Sequence, residues 1–174
     1  MNLLTLLAIA LAPGIAIGIY IYLKDRHERE PIGLLLMSFL YGALSTIITL
    51  LISWPLTANV AIVEGSFFEQ ANNAFLLVGL VEEFSKFVFV RFILYPNKNF
   101  NEPFDGIVYA LMVSMGFATL ENVLYTFQYG MTTGLMRMFP AEPAHATICI
   151  IMRYFLGKAK FTHHREGYYS MVAL

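Results

Sequence analysis

Six polar residues set within long apolar runs are the parts of this sequence that could do chemistry. Glu82, Glu83 and Lys86 share one run, Glu121 and Asn122 the next, and His145 the one after. A charge at mid-bilayer costs several kcal/mol, so ionisable residues at matched depth in three neighbouring spans point to a polar intramembrane site. Carboxylates can take a proton from water, an imidazole can pass one or bind a metal, and an amide can hold an oxyanion. Two or three Glu with one His make a water-activating or zinc-binding set, with Glu83, Glu121 and His145 as candidate ligands. No H-E-x-x-H is present, so the usual helix-borne zinc motif is absent.

Each group also has a structural reading. In E-E-F-S-K, Lys86 lies one helical turn from both carboxylates and could form a buried ion pair. One Lys leaves surplus acid, and that surplus is what a site needs. Phe117, Glu121 and Tyr125 repeat at i, i+4 and share a face. Glu121 and Asn122 could instead join helices by polar contacts, as Asn commonly does in membranes. His145 could be a packed residue near a helix start. Asp105 reads as a helix cap, Arg153 as a snorkelling residue near a span end, and Cys149 as a small packed hydrophobe. His163 and His164 read as loop residues. Gly116, and Gly14 with Gly18, read as sites of close helix contact.

The elements carrying these residues are transmembrane helices. Of 174 residues 58% are hydrophobic and only 13% charged, and mean hydropathy is +0.65. Soluble domains carry roughly 25% charged residues. The composition predicts an all-α polytopic helical bundle forming a single domain over 1–174. The net charge of −1 points to no nucleic acid. One cysteine excludes an intrachain disulfide. At about 20 residues per crossing, five spans are expected: Leu3–Leu23, Pro31–Trp54, Asn73–Leu94, Asp105–Tyr129 and Pro143–Leu156. A short amphipathic piece falls at Leu135–Phe139, and the start of a sixth span at Tyr168–Leu174. The first run continues too far for a signal peptide and lacks a basic leader.

Eight basic residues (Lys24, Arg26, Arg29, Arg91, Lys98, Lys158, Lys160 and Arg165) fall on one side of these spans, and Arg137 alone on the other. That asymmetry predicts an external N-terminus and cytoplasmic basic loops.

An ordered set of motifs resembles the PrsW family of intramembrane proteases, which is related to prenyl-processing and bacteriocin self-immunity proteins. The set is E-E-F-S-K at 82–86, F-D-G-I-V-Y-A at 104–110, G-F-A-T-L-E-N-V-L-Y at 116–125, P-A-H-A-T at 143–147 and Y-F-L-G-K-A-K-F at 154–161. The resemblance implies a multi-pass enzyme of the bacterial plasma membrane. Its implied reaction is site-one cleavage of a membrane-anchored anti-sigma factor, which starts release of an extracytoplasmic-function sigma factor. It also implies catalytic or metal-ligating roles for Glu82, Glu83, Glu121 and His145, with zinc or a glutamate-activated water. Two departures stand out. Arg153 replaces a small residue of the family pattern, and a later His–Asp motif of the family is missing, so the chain is expected to be truncated at its C-terminus with an incomplete site. A non-enzymatic alternative is a transporter or a degenerate protease-like binding protein.

Overall fold

The computed structural model describes residues 3–24, 29–59, 79–138 and 140–161. They form helices only: α1 (Leu3–Lys24), α2 (Ile32–Asn59), α3 (Leu80–Phe89), α4 (Asp105–Tyr129), α5 (Met131–Met138) and α6 (Ala141–Phe161). The all-α polytopic bundle expected from the sequence is what forms.

Three of these helices are long and apolar enough to cross a bilayer: Leu4–Lys24, Ile32–Pro55 and Asp105–Tyr129. This corrects the expected five spans and the start of a sixth. α3 is described only from Leu80, so the first part of its expected span lies outside the described residues, as does 168–174. α6 is long enough but carries Glu142, Arg153, Lys158 and Lys160, which lower its hydropathy.

α4 is the axis. Its apolar window is 72% buried inside the bundle, against 22% for α1 and 33% for α2. α1, α2, α5 and α6 all pack against it. The outer faces of α1 and α2 present Ile19, Leu36, Leu51 and Trp54 to the surroundings, as lipid-facing surfaces do. Hydroxyls in α2 turn back on their own helix: Ser38 Oγ donates to Leu34 O (2.8 Å) and Ser45 Oγ to Gly42 O (2.6 Å). In a medium without water this satisfies the hydroxyls at little cost.

Glycine sets the α2–α4 distance. A Cβ on Gly42 would stand 1.8 Å from Val113 O, and one on Gly116 would stand 1.9 Å from Phe39 O. Both obstacles are backbone, so the two helices touch main chain to main chain, and Thr46 Oγ1 reaches Phe117 O at 3.4 Å.

At the other end of α3 the helix widens into a π-helical turn over Val90–Leu94, closed by Tyr95 N–H to Val90 O (2.8 Å). The loop to α4 is held by Asp105. Its Oδ2 accepts the N–H groups of Asn101 (2.8 Å) and Glu102 (2.6 Å). The expected helix-capping role is thereby corrected: no side chain caps α4, and the carboxylate ties down the loop that precedes it. Lys160 of α6 closes on the same region, donating to Tyr95 O at 2.5 Å and lying 4.3 Å from the Phe100 ring centroid. Desolvation lowers the Lys160 pKa, against the attraction of Asp105. Tyr109 donates to Glu30, joining α4 to the segment before α2.

Gly42→Ala and Gly116→Ala are each expected to destabilise the bundle by at least about 1–3 kcal/mol, the usual cost of overpacking. Gly33→Ala is the control, because a Cβ there meets nothing within 4 Å. Unfolding in mild detergent measures all three, and equal stability of the three variants would contradict the main-chain contact.

Candidate active site

The polar residues meet where α3, α4, α5 and α6 converge. Helical spacing brings Lys86 under Glu83, and Lys86 Nζ donates to Glu83 Oε1 at 2.7 Å. Lys86 is 1% exposed. The same ammonium lies 3.2 Å from His145 Nδ1 on α6 and 3.9 Å from the centroid of Phe117 on α4. His145 Nε2 lies 3.3 Å from Glu121 Oε2. Arg137 of α5 donates through Nη2 to that same oxygen at 2.7 Å. The result is one chain of contacts, Glu83–Lys86–His145–Glu121–Arg137, drawn from four helices.

α4 supplies the floor. Phe117, Glu121 and Tyr125 occupy successive turns of one face, as their spacing predicts, and each meets a group from another helix. Lys86 sits over Phe117, whose ring also meets His145 at 5.5 Å between centroids. His145 and Arg137 reach Glu121, and Arg137 lies 4.0 Å from the Tyr125 centroid. Ser114 Oγ donates to His145 O (3.1 Å), fixing the first turns of α6 against α4.

Proton counting sets the direction of the chain. A lysine ammonium has protons to give and no lone pair to accept one. Nδ1 of His145 therefore accepts, and Nε2 carries the ring proton and donates it to Glu121. The tautomer follows from the network of partners.

Two buried polar atoms of the cluster have no hydrogen-bond partner: Glu83 Oε2, an acceptor, and Arg137 Nε, a donor. Glu82 is half-buried and within electrostatic range of Glu121, Lys86, His145 and Glu83. Asn122 turns elsewhere. It follows Glu121 by one residue, about 100° around the helix, and its Nδ2 reaches Ala10 O of α1 at 3.4 Å. Cys149 is buried, as a small packed hydrophobe should be. The Arg153 side chain, His163 and His164 lie outside the described residues.

Arg137 was not among the candidates. Its one sequence signal was its isolation as the sole basic residue on the side opposite the basic loops.

The donor types suit zinc, and the 3.3 Å between His145 Nε2 and Glu121 Oε2 equals the edge of a tetrahedron with ligands at about 2.0–2.1 Å. The polarity of the surroundings does not suit it. A ligating histidine donates its other ring N–H to an acceptor, whereas the other nitrogen of His145 faces an ammonium. Among the described residues no group of three or more His, Cys, Asp and Glu is gathered to hold a metal. In this arrangement the residues do not fit one.

Comparison with known proteins gives a consistent answer. Residues 30–174 match the model of a family described as PrsW family intramembrane metalloprotease. A protein named Protease PrsW from Geobacillus kaustophilus is 41% identical over 165 residues, covering 95% of this chain and 71% of its own. Its namesake in Bacillus subtilis is 39% identical over 158 residues, covering 90% and 70%. The one in Clostridioides difficile is 38% identical over 180 residues, covering 98% and 74%. No solved structure matches.

The Glu83–Lys86 pair is buried enough for its loss to be felt in stability. Lys86→Met alone should destabilise the protein by about 3–5 kcal/mol, because it strands a buried carboxylate. Adding Glu83→Gln should restore most of that loss. Unfolding of the two single variants and the double variant tests this, and additive losses would show that the pair is not coupled.

Proposed function

From its place in the PrsW family of intramembrane metalloproteases, to which this chain belongs, we propose that it hydrolyses a peptide bond of a membrane-anchored anti-sigma factor. That cut starts release of an extracytoplasmic-function sigma factor. The observation that carries the chemistry is the buried chain of contacts with an unpartnered acceptor, Glu83 Oε2, and an unpartnered donor, Arg137 Nε.

Glu83 is the base. Lys86 holds its Oε1, which leaves Oε2 to take a proton from water as the water oxygen attacks the scissile carbonyl carbon. The negative charge that develops on the carbonyl oxygen needs fixed donors, usually the largest single contribution to such catalysis. Arg137, and the Nε2–H of His145 on releasing Glu121, supply them. The proton on Glu83 then passes to the departing nitrogen as the carbon–nitrogen bond breaks. Glu121 holds Arg137 and His145 in place between turnovers. The substrate segment must unwind locally, since a helical backbone has its carbonyls already hydrogen-bonded.

The topology proposed with this function places the N-terminus outside and the basic loops on the cytoplasmic side of the bacterial plasma membrane. Glu121, His145 and Arg137 then lie in the outer half of the bilayer.

Two experiments test these statements. In reconstituted bilayers holding a single-span anti-sigma protein, Glu83→Gln should cut at least about 100-fold more slowly than the native chain, the lower range for a lost general base. Unchanged cutting by the variant removes Glu83 as base, and no cutting by the native chain refutes the substrate. For topology, a cysteine at the exposed Asn99 should resist membrane-impermeant labelling in intact cells. Labelling from outside would invert the orientation.

A further inference from the structure

The meeting of Lys86 and His145 has no obvious place in a metal site. Metal-binding imidazoles are set by an acceptor on the distal nitrogen, which keeps a proton there and turns the lone pair of the other nitrogen toward the ion. Here a proton donor stands where the acceptor should be. Lys86 Nζ lies 3.2 Å from His145 Nδ1, and it is anchored there by Glu83 at 2.7 Å and by the face of Phe117 at 3.9 Å. With Nδ1 accepting, the neutral ring must keep its proton on Nε2. For Nε2 to ligate an ion, Lys86 would have to give a proton to Nδ1 and become a neutral amine, or leave.

We propose that Lys86 is a positioning residue that holds His145 in its Nε2–H form, aimed at Glu121, and so keeps the imidazole from serving as a metal ligand. With Lys86 and the charge of Glu83 both removed, the ring can place its proton on Nδ1 and offer Nε2, beside Glu121, to an ion.

The test uses the full chain in bilayers. Solid-state nitrogen NMR of histidine-labelled protein reads the tautomer directly, and a His145→Gln spectrum identifies the signals among the four histidines. The expected spectrum has a protonated Nε2 and an unprotonated Nδ1; a protonated Nδ1 on a neutral ring overturns the proposal. Zinc binding is then measured on the native chain and on Lys86→Met with Glu83→Gln, the pair that strands no buried charge, each with His145→Gln as background. The paired variant should gain His145-dependent zinc affinity by at least about ten-fold, the size of effect seen when partners of a ligating histidine change. Equal His145-dependent affinity in the two proteins would overturn the exclusion. Neither measurement reads proteolysis, so either can fail with the protease reading intact.

Discussion

Charge buried in an apolar bundle must find its opposite within the protein, and this requirement shapes the centre of the molecule. Lys86 is almost wholly enclosed. It is held by a carboxylate on its own helix, an imidazole from α6 and an aromatic face from α4. Glu121 is held in turn by α5 and α6. Ions in low dielectric are expensive to part, so these contacts fix the rotation and depth of four helices relative to one another. Apolar packing alone would tolerate sliding, because one methyl-lined groove resembles the next.

A second set of contacts works at the opposite end. Lys160 reaches the carbonyl of Tyr95 where α3 ends. α3 and α6 are therefore joined by lysine twice, at Lys86–His145 and at Tyr95–Lys160, in the same chain direction. Asp105 braces the intervening loop through two backbone amides. The polar centre thus sits between an ion network and a latch, with glycine contacts holding α2 against α4 beside it.

How much of this the sequence disclosed follows the range of each interaction. The bounds of α4, Asp105–Tyr129, could be read from hydropathy, and so could the Glu83–Lys86 pairing, since helical spacing places the two one turn apart. The stripe of Phe117, Glu121 and Tyr125 was legible for the same reason. The partners of that stripe were not. Lys86 meets His145 across 59 residues, and Arg137 meets Glu121 across 16 residues and a helix boundary; no local rule fixes either. Asn122 was misleading because adjacency in sequence is not adjacency around a helix. Asp105 was misread because a carboxylate at a helix start can serve the residues before it as well as those after it. The span count failed in α6, where apolar length and charge compete; the first part of the expected α3 span lies outside the described residues.

The enclosure of most of α4 has a bearing on how the chain assembles. A helix whose apolar window is 72% buried by protein has to enter the bilayer before its whole sheath exists. Its length and mean hydropathy let it do so as a span. α1, α2 and α3 precede it and stand ready as neighbours, and the bare glycine faces allow α2 to dock at once. α5 and α6 emerge afterwards, bringing Arg137 and His145. Glu121 therefore waits through the middle of biogenesis without two of its partners. These later helices bring the partners of a charge already in the membrane, and the contacts of Glu121 close only once they are in place.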